Sequence, residues 1–113
     1  MEQNNSEIRK SVFVKIKDMP EEERPIEKLM QKGADTLSDA ELLAILIHSG
    51  TAEKSALCLA NDIISKYKSF RGLAGLDIEE ITKIKGIKTA RAVRIAAAFE
   101  ISRRIVNEVM KDE

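Results

Sequence analysis

Residues 81–95, ITKIKGIKTARAVRI, are the stretch of this sequence that decides its fold. A short helix is predicted to end at about Lys83, a tight turn is built around Gly86, and a long helix is predicted from Thr89 onwards. A turn that leads directly into a helix leaves the first backbone N–H groups of that helix without an intrahelical acceptor. These groups and the positive end of the helix dipole attract anions, so the stretch predicts a phosphate-binding turn.

The same stretch resembles the helix-hairpin-helix motif of DNA repair and replication proteins. Five residues match the motif's pattern of aliphatic, glycine and small positions: Ile81, Ile84, Gly86, Ile87 and Ala90. The resemblance implies that Ile84 and Ile87 anchor the turn in the core, and that Ala90 lets the helices approach closely. The second glycine of the motif is replaced here by Lys88, which would offer an ionic contact in place of a close backbone contact.

The charge distribution favours binding to a polyanion at this turn. The chain as a whole has a formal net charge of zero, which argues against a uniformly basic nucleic-acid binder. Residues 83–104, however, carry seven basic side chains against one acidic side chain, Glu100, so their net charge is +6. Phosphate contacts position a protein on DNA without reading the bases, so we expect binding without sequence specificity. The predicted DNA-binding residues are Lys83, Lys85, Gly86, Ile87, Lys88, Thr89, Arg91 and Arg94.

An internal repeat indicates a second, related unit. When the chain is shifted by 36 residues, Gly50 aligns with Gly86 and Ala56 aligns with Ala92. The first turn, at residues 49–54, is a degenerate copy of the second. It is either a structural element or a second, weaker phosphate contact. Two such units packed as a pseudo-symmetric pair would form a domain of about this size.

The rest of the chain predicts a compact all-α bundle of about five helices. Aromatic residues make up only 4% of the chain, so the core must be aliphatic, which favours packed helices over a β-sandwich. A capping box is predicted at Ser38–Glu41, and a second capping signal at Asp77–Glu80. Residues 12–17 could be extended, and residues 69–76 are expected to be irregular or a single helical turn. We place the helices at residues 25–32, 39–48, 53–67, 78–83 and 89–109.

No catalytic, metal or cofactor site is predicted. The chain has one histidine, His48, and one cysteine, Cys58, whereas a zinc site needs about four ligands. The scattered carboxylates are better explained as helix caps and solvated groups than as an acid–base pair. A single cysteine fits a reducing compartment, the polar N-terminus has no signal-peptide pattern, and no apolar run approaches the ~20 residues that span a bilayer. We therefore expect a cytoplasmic protein with no membrane association.

A wider resemblance covers residues 16–104. The chain resembles the N-terminal region of the bacterial RadC family, whose members are labelled DNA repair proteins. The resemblance is carried by five segments, which are residues 20–29, 37–51, 54–60, 85–92 and 99–104. In that family a JAB/MPN-type zinc metalloprotease-like domain follows, with a His-x-His motif that this chain lacks. The resemblance implies a flexible arm at residues 1–15, a helix-hairpin-helix domain at 16–106, and the start of a linker to a missing domain at 107–113.

Two functions therefore stand as alternatives. The first is a DNA-binding module that grips phosphates through the Gly86 turn and delivers duplex or branched DNA to a catalytic domain. The second is a protein-interaction or structural accessory domain that does not bind DNA. Phosphate binding weakens steeply as salt rises, whereas a hydrophobic interface does not, so the two differ in salt response.

Overall fold

The computed structural model describes residues 24–51 and 53–112. Within these ranges the chain is all-α and has no strand, which confirms the predicted fold class. The possible extended segment at residues 12–17 lies outside the described residues. One 3-10 helix, Ala34–Thr36, and six α-helices follow one another in the described ranges: α1 Pro25–Lys32, α2 Asp39–Ile47, α3 Ala56–Tyr67, α4 Phe70–Ala74, α5 Ile78–Thr82 and α6 Thr89–Lys111.

Local capping fixes where α2 begins. The Ser38 hydroxyl accepts a hydrogen bond from the Glu41 N–H at 3.1 Å, and the Glu41 carboxylate accepts one from the Ser38 N–H at 2.9 Å. Glu41 also accepts from the Lys28 ammonium at 3.1 Å, which ties α1 to α2. Burial on its own would raise the pKa of Glu41, but the hydrogen bonds from Ser38 and Lys28 outweigh it and lower that pKa.

Helix α3 begins three residues later than the sequence predicts. The Thr51 hydroxyl accepts from the N–H groups of Glu53 and Lys54, and the Thr51 N–H donates to the Lys54 carbonyl at 2.8 Å. These bonds tie Thr51 to Glu53 and Lys54 ahead of the helix. The helix begins at Ala56, and Ser55 is its N-cap residue, whose hydroxyl accepts a hydrogen bond from the Cys58 N–H at 3.1 Å. The predicted single turn at residues 69–76 is the short helix α4.

The core is aliphatic, as the composition predicts. Helix α2 supplies Leu43 and Ile47, and helix α3 supplies Ile63, all of them almost fully buried. The edge of the core is closed by Phe70 and Phe99, whose rings meet edge to face with centroids 6.3 Å apart. The other core residues are Ala40, Ala44, Ala56, Leu59, Ala60, Leu73, Ile81, Ile84, Ile87, Ala92 and Ile95.

Ala90 does not have the role that the motif implies. Its side chain is exposed, so the prediction that Ala90 lets the helices approach closely is wrong. The buried alanine of this helix is Ala92, which is 0% exposed. Ala90 belongs to the first turn of α6, and the face of the helix that packs on the core starts two residues later.

The first turn depends on the absence of a side chain at Gly50. A Cβ atom there would lie 2.0 Å from the Lys54 carbonyl oxygen, so the backbone of the turn would have to move. We predict that Gly50→Ala lowers the free energy of unfolding by about 1–3 kcal/mol, the usual cost of overpacking. Urea denaturation followed by circular dichroism measures the change.

Gly75→Ala is the matched control for this substitution. Gly75 has helical dihedral angles, and a Cβ there would meet nothing closer than 3.8 Å. Its substitution should leave stability unchanged or raise it by about 0.4–1 kcal/mol. Equal decreases in stability in the two variants would contradict this account of the first turn.

Candidate nucleic-acid interface

The N-terminus of α6 has no cap from any side chain of the described residues. Lys88 stands at the N-cap position and makes no side-chain capping bond, and the first hydrogen bond of the helix runs from the Ala92 N–H to the Lys88 carbonyl. The N–H groups of Thr89, Ala90 and Arg91 therefore lack an intrahelical acceptor. A helix of 23 residues adds its dipole to these groups, so this end suits an anion.

The turn before α6 is held in a defined shape. Gly86 has a φ of 88°, which favours glycine, and the Ile87 N–H donates to the Ile84 carbonyl at 2.9 Å. Ile84 and Ile87 are 9% and 1% exposed, so both anchor the turn in the core as predicted. Ile87 can therefore contribute only its backbone to a DNA contact.

Four predicted DNA-binding cations lie free around this turn. Lys83, Lys85, Lys88 and Arg94 are all exposed, as is Thr89. None of the four cations has a hydrogen bond or ion pair with a residue in the ranges 24–51 and 53–112. Their charge is available to an external anion.

Arg91 has an internal role that the sequence does not reveal. Its guanidinium donates to the Gly86 carbonyl at 2.8 Å, to the Gly50 carbonyl at 3.0 Å and to the Ser49 hydroxyl at 3.1 Å. One side chain thus joins the two glycine turns that the 36-residue repeat aligns. Arg91 therefore shapes the candidate interface, and its guanidinium is already occupied.

The two turns differ at the helix that follows each of them. Helix α3 after the first turn is capped by the Ser55 hydroxyl, whereas α6 after the second turn has Lys88 and no such cap. The capping hydroxyl thus occupies one N–H group at the start of α3, whereas the corresponding groups of α6 have no such partner among the described residues. The geometry of the first turn favours the structural alternative for residues 49–54.

The distal arginines of the basic stretch share one carboxylate, which offsets half of their charge. Arg103 and Arg104 both pair with Glu100, at 2.7 and 2.8 Å. Hydrogen bonds from the two guanidinium groups lower the pKa of Glu100 to about 2, so it stays ionised at neutral pH. The net charge of residues 83–104 is therefore concentrated near the turn.

Other kinds of site find little support in the described part of the chain. No group of three or more metal-type side chains comes together among these residues. None of the helices described combines the length and apolar character needed to cross a membrane.

Comparison with known proteins gives a consistent set of relatives. Residues 16–93 match the family model described as UPF0758 N-terminal. A UPF0758 protein of Geobacillus sp. strain WCH70 is 49% identical over 90 residues, which cover 80% of this chain and 40% of the relative. A UPF0758 protein of Desulforudis audaxviator is 49% identical over 79% of this chain and 39% of its own length. A UPF0758 protein of Bacillus licheniformis is 44% identical over 88% of this chain and 44% of its own length. The chain spans about 40% of the length of these curated relatives, and no solved structure matches it significantly.

The bridging role of Arg91 can be tested by its removal. Arg91→Ala leaves two backbone carbonyls without their charged donor, so we predict a decrease of about 1–3 kcal/mol in the free energy of unfolding. Arg94→Ala removes an exposed arginine from the same helix and should change stability by less than about 0.5 kcal/mol. Urea denaturation compares the two variants, and an equal effect of both would show that the bridge does not hold the turns together.

Proposed function

This chain belongs to the UPF0758 N-terminal family, and we propose that it acts as a DNA-binding module that binds phosphates without reading sequence. Membership confirms the resemblance to the N-terminal region of RadC proteins. The observation that carries the proposal is the uncapped start of α6, where free N–H groups adjoin unpaired lysines. Duplex or branched DNA is the proposed ligand.

The proposed contact combines two kinds of donor. The N–H groups of Thr89 and Ala90 would bind oxygens of one phosphate, while Lys85 and Lys88 supply charge to the same or the next phosphate. Contacts of this kind recognise the sugar–phosphate backbone, so affinity should depend little on sequence.

The lysine at position 88 is compatible with this contact. Its φ of −102° and ψ of −177° are extended values that any residue can adopt. The left-handed position of the turn is Gly86, which is retained. Lys88 therefore adds an ammonium group beside the helix N-terminus without straining the turn.

We extend the proposal to the longer proteins of the family. By its resemblance to RadC, a full-length member would add a JAB/MPN-type metalloprotease-like domain, and this module would bring DNA or a DNA-bound partner to it. No metal-ligand cluster comes together among the described residues, and we propose binding and not catalysis for this chain.

A second candidate function rests on the distal part of α6. From residue 101 onwards every described residue is exposed. The large apolar side chains among them are Ile101, Ile105, Val106, Val109 and Met110, each more than half exposed. Exposed apolar residues that adjoin one another along a helix are typical of protein-interaction surfaces. A protein-interaction module is therefore the alternative, and its binding would persist at high salt.

The DNA-binding proposal is tested by reversing charge at the turn. We predict that the wild-type domain binds a labelled duplex with a Kd on the order of 10⁻⁴ to 10⁻⁶ M at physiological salt. The double variant Lys85→Glu/Lys88→Glu should bind at least about tenfold more weakly, and its log–log salt slope should be about 0.9 shallower for each phosphate that it no longer neutralises. Fluorescence anisotropy at several salt concentrations measures both quantities.

The control for that experiment is Lys32→Glu/Lys111→Glu, which reverses the same number of charges away from the turn. Both lysines are exposed, in α1 and at the end of α6. Gly86 is left unchanged because a Cβ there would meet Leu59 at 3.0 Å and any substitution would also disturb the fold. If both double variants lose the same affinity for the duplex, the effect comes from net charge and not from the turn. If the wild-type domain does not bind the duplex even at low salt, the protein-interaction alternative is favoured.

A further inference from the structure

A cavity of about 430 Å³ lies between α3 and the two glycine turns. Its apolar lining comes from Leu59 and Ile63 of α3 and from Ile84 of the second turn. These side chains are at most 9% exposed, so the cavity has a floor that belongs to the core. Ligand sites commonly combine a volume of about 300–1,000 Å³ with a mostly apolar lining and a few polar groups.

The rim of the cavity is basic. Four lysines line it against two carboxylates, and one of these carboxylates, that of Asp62, is already paired with Lys54. The ammonium groups of Lys85 and Lys88 have no hydrogen-bond or ion-pair partner in the described part of the chain. The site therefore fits a ligand that joins an apolar group to a negative charge.

The position of the cavity identifies which charged ligand fits. Lys85, Gly86 and Lys88 line the cavity, and the last of them is also the N-cap residue of α6. A phosphate held at this helix N-terminus therefore lies next to the mouth of the cavity. A nucleotide has its base one sugar away from its phosphate, so it can occupy both places at once.

We propose that this cavity receives the base of a single unpaired nucleotide, at a flap, gap or frayed end, while its phosphate lies on the start of α6. The inference rests on the proposed DNA binding and adds a preference for one kind of DNA structure. Apolar contact with the faces of a base is tolerant of sequence, because every base has such a face. A paired base could not enter, since it remains in the helical stack.

Three DNAs that differ at one position test the proposal. They are a flush duplex, the same duplex with one unpaired 3′ nucleotide, and that DNA with an abasic sugar in place of the unpaired nucleotide. We predict that the unpaired nucleotide tightens binding about fivefold over the flush duplex in fluorescence anisotropy, and that the abasic DNA shows no such gain. Equal affinities for all three DNAs would overturn the inference while leaving duplex binding intact.

Methyl NMR spectra show where the base lies without any substitution. The methyl resonances of Leu59, Ile63 and Ile84 should shift with the unpaired DNA and stay in place with the abasic DNA. Leu43 and Leu73 are also core residues but do not line the cavity, so their resonances serve as an internal control. Shifts that are identical for the unpaired and abasic DNAs would place the base outside the cavity and overturn the inference.

A pair of variants tests the rim. Lys66 lines the cavity, whereas Lys68, two residues later, is also exposed and does not. Lys66→Glu should lower the roughly fivefold preference for the unpaired DNA, and Lys68→Glu should preserve it. If the two variants have the same preference for the unpaired DNA, the nucleotide does not lie against the lysine rim of the cavity, and the inference is overturned. If wild-type protein fails to bind even the flush duplex at low salt, the proposed function itself fails.

Discussion

The hydrogen bonds of the Arg91 guanidinium are the interaction on which the arrangement of the two glycine turns depends. The guanidinium donates to the carbonyl oxygens of Gly50 and Gly86, and so it joins two turns that are far apart in the sequence. The turns can meet because Gly86 has no side chain where Leu59 and Thr51 approach it. Arg91 is one of the first residues of α6. The same hydrogen bonds therefore hold the start of that helix against the turn that contains Gly50. Residues of both joined turns line the cavity beside α3.

The two turns share a sequence pattern but differ in which polar groups they leave free. Ser55 occupies an N–H group at the start of α3, while Lys88 leaves the corresponding groups of α6 without a cap. One unit thus uses its polar groups within the fold, and the other leaves them without a partner in the described part of the chain. The neutral total charge hides this division, because Arg103 and Arg104 are paired with Glu100 while the side chains of the lysines near the second turn have no acidic partner in the described part of the chain.

Local signals make much of the fold predictable from the sequence. The Ser38–Glu41 and Asp77–Glu80 boxes lie within four residues each, and both form as expected. The sequence predicts too early a start for α3, because both Thr51 and Ser55 could cap a helix and the sequence does not show which of them does. The predicted role of Ala90 is wrong because the motif fixes spacing along the chain but not which face of α6 packs.

The site is predictable only in part, because a motif in one segment does not show which residues of other segments lie beside it. The exposed lysines and Gly86 follow from the motif, but the partners of Arg91 on the first turn lie 41 and 42 residues away in sequence. Only the 36-residue repeat indicates that the two turns are related. The cavity is lined by residues of α3 and of both turns, so no single segment of the sequence predicts it. Its lining residue Lys66 lies on α3, where the sequence has no motif that indicates binding.

The most direct test of the central claim is an NMR titration of ¹⁵N-labelled protein with a DNA duplex at low salt. It compares the backbone amides after each turn. The account predicts large shifts for Thr89, Ala90 and Arg91, and little change for the capped start of α3 at residues 56–58. Shifts confined to residues 101–110, or equal shifts after both turns, would contradict the claim that the uncapped start of α6 is the phosphate site.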